Sequence, residues 1–428
     1  MAVSSTKGHR AALTVFFLIA ILNYVDRTVL AVLQVPIKAE LDLSDTQMGL
    51  LLGIAFAFVY SFAGLPIGLA ADRFDRKRIL VGALGLWSAL TGAAGFAANF
   101  ATLAVCRAGV ALGEAAGSPI TYAIISDMFP KERRSTVVGF LATALPIGMF
   151  VGLAGAGQLE TWFGWRATLV IIGGIGILLV PVAALFLMDP PRKHLTQAGG
   201  PRAFTINELL HFAWNVRTFR YTLIAASLHI FTLHTVLAWN VPFYVRTYEL
   251  ELRDAGFILA CLAGIGGVLG SFGGGWLADR GAVRDARWPL WVQAIASACF
   301  VPLAFGQYVA PTLGGSVAAG VGATIMLNVY VGPLVAVTQG LTPSRGRTLV
   351  AAFVVFIINI GGMSLGPVLA GVISDQITPP ANLLPIQLAM IVALLGAVLA
   401  VPFYLIAGRH AQADYAAFEQ AQGRENHD

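Results

Sequence analysis

Charge is what this sequence has least of. Only 11% of its 428 residues are Asp, Glu, Lys or Arg, against about a quarter in a soluble domain. That scarcity excludes a soluble globular protein, and the 57% of hydrophobic residues points to a polytopic membrane protein. Cysteine is scarce too. Cys106, Cys261 and Cys299 are odd in number and all lie in apolar stretches, which excludes a disulfide or zinc framework. No nucleophile-and-base arrangement, metal cluster or phosphate-binding loop is legible, so no catalytic residue, metal or cofactor is expected. A net charge of +5 does not indicate nucleic acid, because the basic residues sit in short clusters between apolar runs. The amino terminus has no small-residue cleavage site ahead of a segment far longer than a signal core, so it is expected to stay attached.

What is there is a series of twelve apolar runs, each near the ~20 residues that cross a bilayer. They cover 13–35, 48–71, 79–98, 102–125, 137–159, 167–188, 219–245, 255–277, 288–309, 313–338, 349–373 and 383–407. With the amino terminus inside, 21 of the 27 Lys and Arg fall in inside segments, four fall outside and two lie within the membrane. Positive residues favour the cytoplasmic side, so both termini are expected there. Short termini and loops suit a bacterial inner-membrane protein.

One sizeable polar break separates six runs from six. The expected division is 1–188 as a first six-helix bundle, 189–218 as a cytoplasmic linker, 219–408 as a second bundle and 409–428 as a tail. Within the linker, Ile206, Leu209, Leu210, Phe212, Ala213 and Val216 form an amphipathic piece that lies along the membrane surface. The halves repeat. Gly68-Leu-Ala-Ala-Asp72-Arg73 returns as Gly275-Trp-Leu-Ala-Asp279-Arg280, and Gly148, Gly152 and Gly157 return as Gly362, Gly366 and Gly371, at offsets of 207 and 214. Parallel six-helix repeats place a substrate site near the midplane and work by rocking one half on the other.

Two apolar runs carry charge in their interior. Arg107 and Glu114 sit in the fourth, two helical turns or roughly 10 Å apart on one face, and Asp26 and Arg27 sit mid-way in the first. Charges at that depth face a bundle interior or a water-filled cavity and mark a substrate or proton path, with a buried structural ion pair as the alternative. The second half has no ionisable Asp, Glu, Lys or Arg at comparable depth. It offers His229, His234, Trp239, Asn328, Tyr330 and Asn359, an asymmetry that suits an amphipathic ligand. Either histidine reads more readily as a satisfied core residue than as a proton carrier. Tyr60 and Tyr122 are candidates to line the cavity.

After the second run, Gly68 is expected to allow close helix approach, while Asp72, Arg73, Arg76, Lys77 and Arg78 form an interfacial charge cluster. Asp127, at the end of the fourth run, is its expected partner in a conformational latch. The alternative is a basic loop that only sets topology. The pairs Gly148/Gly152 and Gly362/Gly366, the latter with Pro367, read as close-packing seams.

These motifs resemble the major facilitator superfamily over essentially the whole chain. Its cytoplasmic motif G-x-L-A-D-R-x-G-R-K stands here as Gly68-x-Ala70-Ala71-Asp72-Arg73-x-Asp75-Arg76-Lys77, with Ala70 and Asp75 as departures; Ala111 stands where a Gly often follows Arg107. Asn23-Tyr24-x-Asp26-Arg27, Arg107-x6-Glu114-Ala115 and Asp127-x-Phe129 resemble the spinster branch more narrowly. The resemblance implies an all-α polytopic membrane protein of twelve transmembrane helices in two six-helix pseudo-symmetric bundles. It implies proton-coupled transport of a lysophospholipid or sphingosine-phosphate-like lipid, with Asp26 and Glu114 as protonation sites. Arg27 and Arg107 would hold the anionic headgroup; Tyr60, Tyr122, His234, Trp239, Asn328 and Asn359 are expected around the substrate from their residue types and depth, not from the family motifs. The organic-anion symporters of the superfamily share the Asn-Tyr-x-Asp-Arg run, so a small organic anion is the alternative substrate. A lipid sensor or membrane enzyme is a third reading, weakened by the short tail and the missing catalytic groups. Expected partners are the substrate and membrane lipids, with no nucleic acid; the protein is expected to be a monomer driven by a proton gradient.

Overall fold

The computed structural model describes residues 6–190 and 204–425. All regular structure among them is helical. In order the helices are α1 (Thr6–Leu41), α2 (Asp45–Leu52), α3 (Ile54–Arg73), α4 (Arg76–Ala94), α5 (Phe100–Glu114), α6 (Gly117–Met128), α7 (Lys131–Ala142) and α8 (Ala144–Phe186). Then come α9 (Ile206–Asn215), α10 (Arg217–Tyr248), α11 (Leu252–Ala282), α12 (Trp288–Val309), α13 (Leu313–Asn328), α14 (Val331–Gly340), α15 (Arg347–Ile358), α16 (Leu365–Gln376) and α17 (Pro385–Glu425). A π-helical turn, Asn359–Met363, joins α15 to α16.

Ten helical stretches among the described residues are long and apolar enough to cross a membrane, and local structure accounts for the difference from twelve runs. The stretch Thr136–Phe186 holds two runs, joined at Gly164, whose φ of +76° is open to glycine at no steric cost. The third run lies in α4, a 19-residue helix that begins with Arg76, Lys77 and Arg78.

The chain forms two compact units. The first contains α1 to α8 together with residues 240–264, and the second contains α9, α10 as far as Trp239, and the chain from Ile265 onward. Residues 240–264, which the sequence places with the second half, thus cluster with the first. There Asp45, in the first turn of α2, accepts two hydrogen bonds from Arg246 at 2.6 and 2.7 Å and one from Lys38 at 2.5 Å.

Both units have a helix interrupted at the same place in the repeat, whatever other breaks they carry. α5 gives way to α6 at Ala115–Ala116, and α13 gives way to α14 at Val329–Tyr330. Pro119 and Pro333 supply the cause: neither has an N–H to offer the carbonyl four residues back, at Ala115 and Val329 respectively. Close packing follows the glycines. A Cβ on Gly148 would stand 2.7 Å from the Ile21 carbonyl oxygen, and one on Gly362 would stand 2.8 Å from that of Ser227. α8 therefore lies directly on α1, and the helix through Gly362 lies on α10. Gly68 does not behave as expected, because a Cβ there meets nothing within 4 Å.

In the second unit α9 is capped by Thr205 and Glu208, with Leu209 buried. Ile206, Leu210 and Trp214 make an exposed stripe. Linker positions 191–203, including Pro191, Gly199, Gly200 and Pro201, lie outside the described residues.

Candidate functional site

The four intramembrane charges meet in the first unit, where α1 faces α5. Arg27 Nε donates to Glu114 Oε2 at 2.9 Å; the Glu114 side chain is fully buried while that of Arg27 keeps 23% exposure. The Arg27 guanidinium lies over the ring of Tyr60 at 4.6 Å, with Phe56 and Tyr24 at 5.4 and 5.7 Å. A cation against aromatic faces is held by their negative π-clouds without a second full charge. Arg107 turns elsewhere. Its Nη1 donates to the Asp26 carbonyl oxygen at 3.2 Å and its guanidinium packs on Phe56 at 4.3 Å.

The ion pair is therefore between helices, not between Arg107 and Glu114 along one. Two helical turns keep those two groups roughly 10 Å apart at the backbone. Asp26 accepts a hydrogen bond from the Thr91 hydroxyl of α4 at 3.1 Å. Asp26 Oδ2, Glu114 Oε1 and Arg107 Nε are buried and make no hydrogen bond of ordinary geometry, with Trp87 beside Asp26 and Asn23 beside Glu114 as further donors close to the two carboxyls. Unsatisfied polar atoms at that density mark a place kept for something other than packing. Glu114 is the last residue of α5, directly before the interruption that Pro119 imposes. Interrupted helices in corresponding positions of two repeats are the best structural pointer to a transporter's binding site.

At the opposite end of α4 lies the charged cluster. Arg76 Nη1 donates to Asp127 Oδ2 at 2.7 Å, Nε to Asp189 Oδ1 at 2.7 Å and Nη2 to the Pro190 carbonyl at 2.9 Å, while its backbone N–H reaches Asp189 Oδ2 at 3.0 Å. Burial works against the Arg76 charge, but Asp127 and Asp189 outweigh it and hold its pKa above the ordinary arginine value. Among the described residues, Asp127 thus pairs with Arg76 and not with the cluster as a whole. Arg73 is exposed and Lys77 half-buried, and the Asp72 side chain lies outside the described residues. Asp75, the departure from the superfamily pattern, caps α4 by accepting from the Arg78 N–H at 2.9 Å.

The remaining candidates fall apart by unit and by environment. Tyr60 joins Arg27, whereas Tyr122 is exposed. In the second unit Trp239 is fully buried and donates to the Pro367 carbonyl at 3.0 Å. Asn328 donates to the Thr324 carbonyl at 2.8 Å, and Asn359 opens the π-helical turn. His234 is half-buried. His229 is buried, with Nε2 at 2.8 Å from the Leu327 carbonyl and Nδ1 at 3.2 Å from the Ser297 hydroxyl.

Sequence reasoning missed Phe56, Thr91, the site role of Tyr24, and Asp189. Only Tyr24 and the paired Pro119 and Pro333 carried a usable signal.

Residues 16–364 match the model of the Major Facilitator Superfamily. The chain belongs to that superfamily. This major facilitator is 30% identical to an MFS-type efflux pump of Mycolicibacterium smegmatis, over 94% of this chain and 93% of the relative. It is 27% identical to the hexuronate transporter of Bacillus subtilis, over 84% and 86%. Identity to the sphingosine-1-phosphate transporter SPNS2 of Xenopus tropicalis is 26%, over 83% and 72%. Among solved structures, an inward-facing, unoccupied bacterial homologue of the human lysosomal transporter spinster superposes with a TM-score of 0.87 at 25% identity, covering 96% of this chain and 99% of the other. The protein is a multi-pass membrane transporter related to the spinster proteins; fold and relatives are those of transporters, not enzymes.

Proposed function

We propose that this transporter uses a proton gradient to move an anionic amphipathic substrate, a lysophospholipid or sphingosine-phosphate-like lipid, by alternating access. The single observation that carries the reading is the buried pair of Arg27 and Glu114. While Glu114 is ionised it occupies Arg27. A proton on Glu114 cancels that charge and leaves the guanidinium, already partly open and set against Tyr24, Phe56 and Tyr60, to take an anionic headgroup. The Glu114 carboxylate and the substrate then compete for one arginine, so that taking up a proton favours taking up the substrate, which is the coupling. Asp26 is the second protonation site, and Arg107 steadies α1 through the Asp26 carbonyl. His234, Trp239, Asn328 and Asn359 are assigned to substrate contacts from the second half, with Tyr122 from the first.

The lipid assignment draws on the relationship to SPNS2 and the spinster structure. A small organic anion is the second reading, favoured by the likeness to the hexuronate transporter; either headgroup asks for the same cation. Rocking of the bundles 1–188 and 219–408 is assigned to the latch of Arg76 and Asp127, with Gly68, Asp72, Arg73 and Lys77 beside it. The protein is placed as a monomer in a bacterial inner membrane, both termini cytoplasmic, with no cofactor beyond the gradient.

The test is uptake into proteoliposomes with and without a pH gradient. A lysophospholipid, sphingosine phosphate and a hexuronate are offered to wild type and Glu114→Gln. Gradient-dependent lipid uptake that Glu114→Gln loses is the expected result. Uptake of the hexuronate alone transfers the assignment to organic anions, and uptake indifferent to pH in the wild type removes proton coupling.

A further inference from the structure

The first unit holds a cavity at Asp26 that the exchange at Arg27 and Glu114 does not use. This small, partly open cavity of about 30 Å³ has Asp26, Thr91 and Arg107 as its polar lining, beside Cys106 and a larger set of apolar side chains that includes Leu103 and Ala94. Asp26 and Arg107 are 2% and 8% exposed, and it is their Oδ2 and Nε atoms that make no hydrogen bond of ordinary geometry. An empty cavity in a protein is apolar; one edged by an orphan acceptor, an orphan donor and a hydroxyl has room and partners for one or two waters. The cavity also has a direction. Ala94 is the last residue of α4, and Leu103 lies in the first turn of α5, just after the Asn99 cap. It therefore runs from Asp26 toward the end of the unit opposite Arg76 and Asp127.

We propose that this cavity is a hydration site that lets Asp26 exchange protons with the α4–α5 end of the protein by a route separate from Arg27 and Glu114. Water bridges Asp26 Oδ2 to the Arg107 Nε–H. A proton arriving along it converts the Asp26 carboxylate to the acid, with Thr91 retaining its bond to Oδ1. The polar groups facing Asp26 are Thr91 and Trp87 from α4 and Arg107 and Glu114 from α5; α8 contributes apolar Leu169 to the cavity. Proton and lipid thus reach the same four charges from different sides, so a bound lipid does not block the proton. The inference rests on the proton-coupling reading above.

Two measurements on the reconstituted full chain test it. Hydroxyl-radical footprinting reads local water, because the radicals form from it. Cys106 is half-buried, whereas Cys299 is exposed on the apolar face of α12. Oxidation of Cys106 at least fivefold faster than Cys299 is expected; oxidation no faster than Cys299 overturns the hydrated cavity. The second measurement fills the cavity with Cys106→Leu. Gradient-driven accumulation of sphingosine phosphate is expected to fall at least tenfold, while its affinity in detergent at fixed pH changes less than twofold. Accumulation at the wild-type level overturns the route. Should Cys106→Leu fail to fold, footprinting of the wild type still decides. A wild type with no gradient dependence removes the coupling reading, and is told apart from failure of the cavity by the Cys106 oxidation rate.

Discussion

Arg27 of α1 reaches Glu114 of α5 at 2.9 Å, while Arg107, on the same helix as Glu114, bonds to the Asp26 carbonyl instead. Each helix thus holds the other by a crossed polar contact, and only one of the two contacts joins opposite full charges. Breaking either contact loosens α1 from α5, but only the first leaves a lone charge behind.

That distinction predicts different pH behaviour for two variants. Removing one partner of a buried pair costs about 3–5 kcal/mol because the other charge is stranded. A stranded carboxylate sheds its charge by taking a proton, whereas a guanidinium does not. Arg27→Gln is therefore expected to lose stability increasingly as pH rises, whereas the melting temperature of Glu114→Gln, which has no titrating group at this position, is expected not to shift with pH through this site. Melting temperatures in detergent at acid and alkaline pH check this; parallel curves for the two variants contradict it.

The Arg76 cluster joins Asp127 to the start of the linker through Asp189 and Pro190. Because its two carboxylates hold the Arg76 pKa above the usual arginine value, the group's contribution is fully present below that value and is lost only at extreme alkaline pH. Arg76→Lys keeps the charge but not the planar fork. Hydrogen exchange around Asp189 is expected to rise in Arg76→Lys nearly as much as in Arg76→Gln, with no pH dependence in the physiological range.

Asp45 is buried between Lys38 and Arg246. Asp45→Asn removes the carboxylate that the two cations share. Both cations are partly exposed, so the expected cost is about 2–3 kcal/mol, below that for a fully buried pair. Faster hydrogen exchange in residues 240–264, partly restored by adding Arg246→Gln, is the expected signature. Unchanged exchange there counts against the pairing.

Gly152 and Gly155 give a matched pair within α8. A Cβ on Gly152 would press on Thr28 Oγ1 and stand 3.0 Å from Val25 Cα, whereas one on Gly155 meets nothing within 4 Å. Gly152→Ala is expected to destabilise by about 1–3 kcal/mol through overpacking. Gly155→Ala is expected to be neutral or to stabilise by up to about 1 kcal/mol from helix propensity. Equal melting temperatures for the two variants refute close packing of α8 on α1.

Membrane class and helical fold were legible in the sequence because bilayer thickness sets the length of each apolar run. The repeat was legible in Gly68 and Gly275, and in Gly148 and Gly362. The interruptions at Ala115 and Val329 were equally written in Pro119 and Pro333, a signal that hydrophobic length alone conceals. Asp189 was hidden because it ends an apolar run and looks like ordinary linker, and Phe56 because one aromatic among 26 phenylalanines carries no mark.

By itself, then, the sequence determined that four charges stand inside the membrane on two helices, since Asp26, Arg27, Arg107 and Glu114 interrupt runs otherwise free of charge. Only the tertiary structure decided that Arg27 takes Glu114, that Arg107 takes a backbone carbonyl, and that Asp26 borders a cavity. Helical periodicity tells which residues share a face of their own helix. Which face of another helix lies opposite depends on contacts such as that of Gly152 with Thr28, made between residues more than a hundred positions apart.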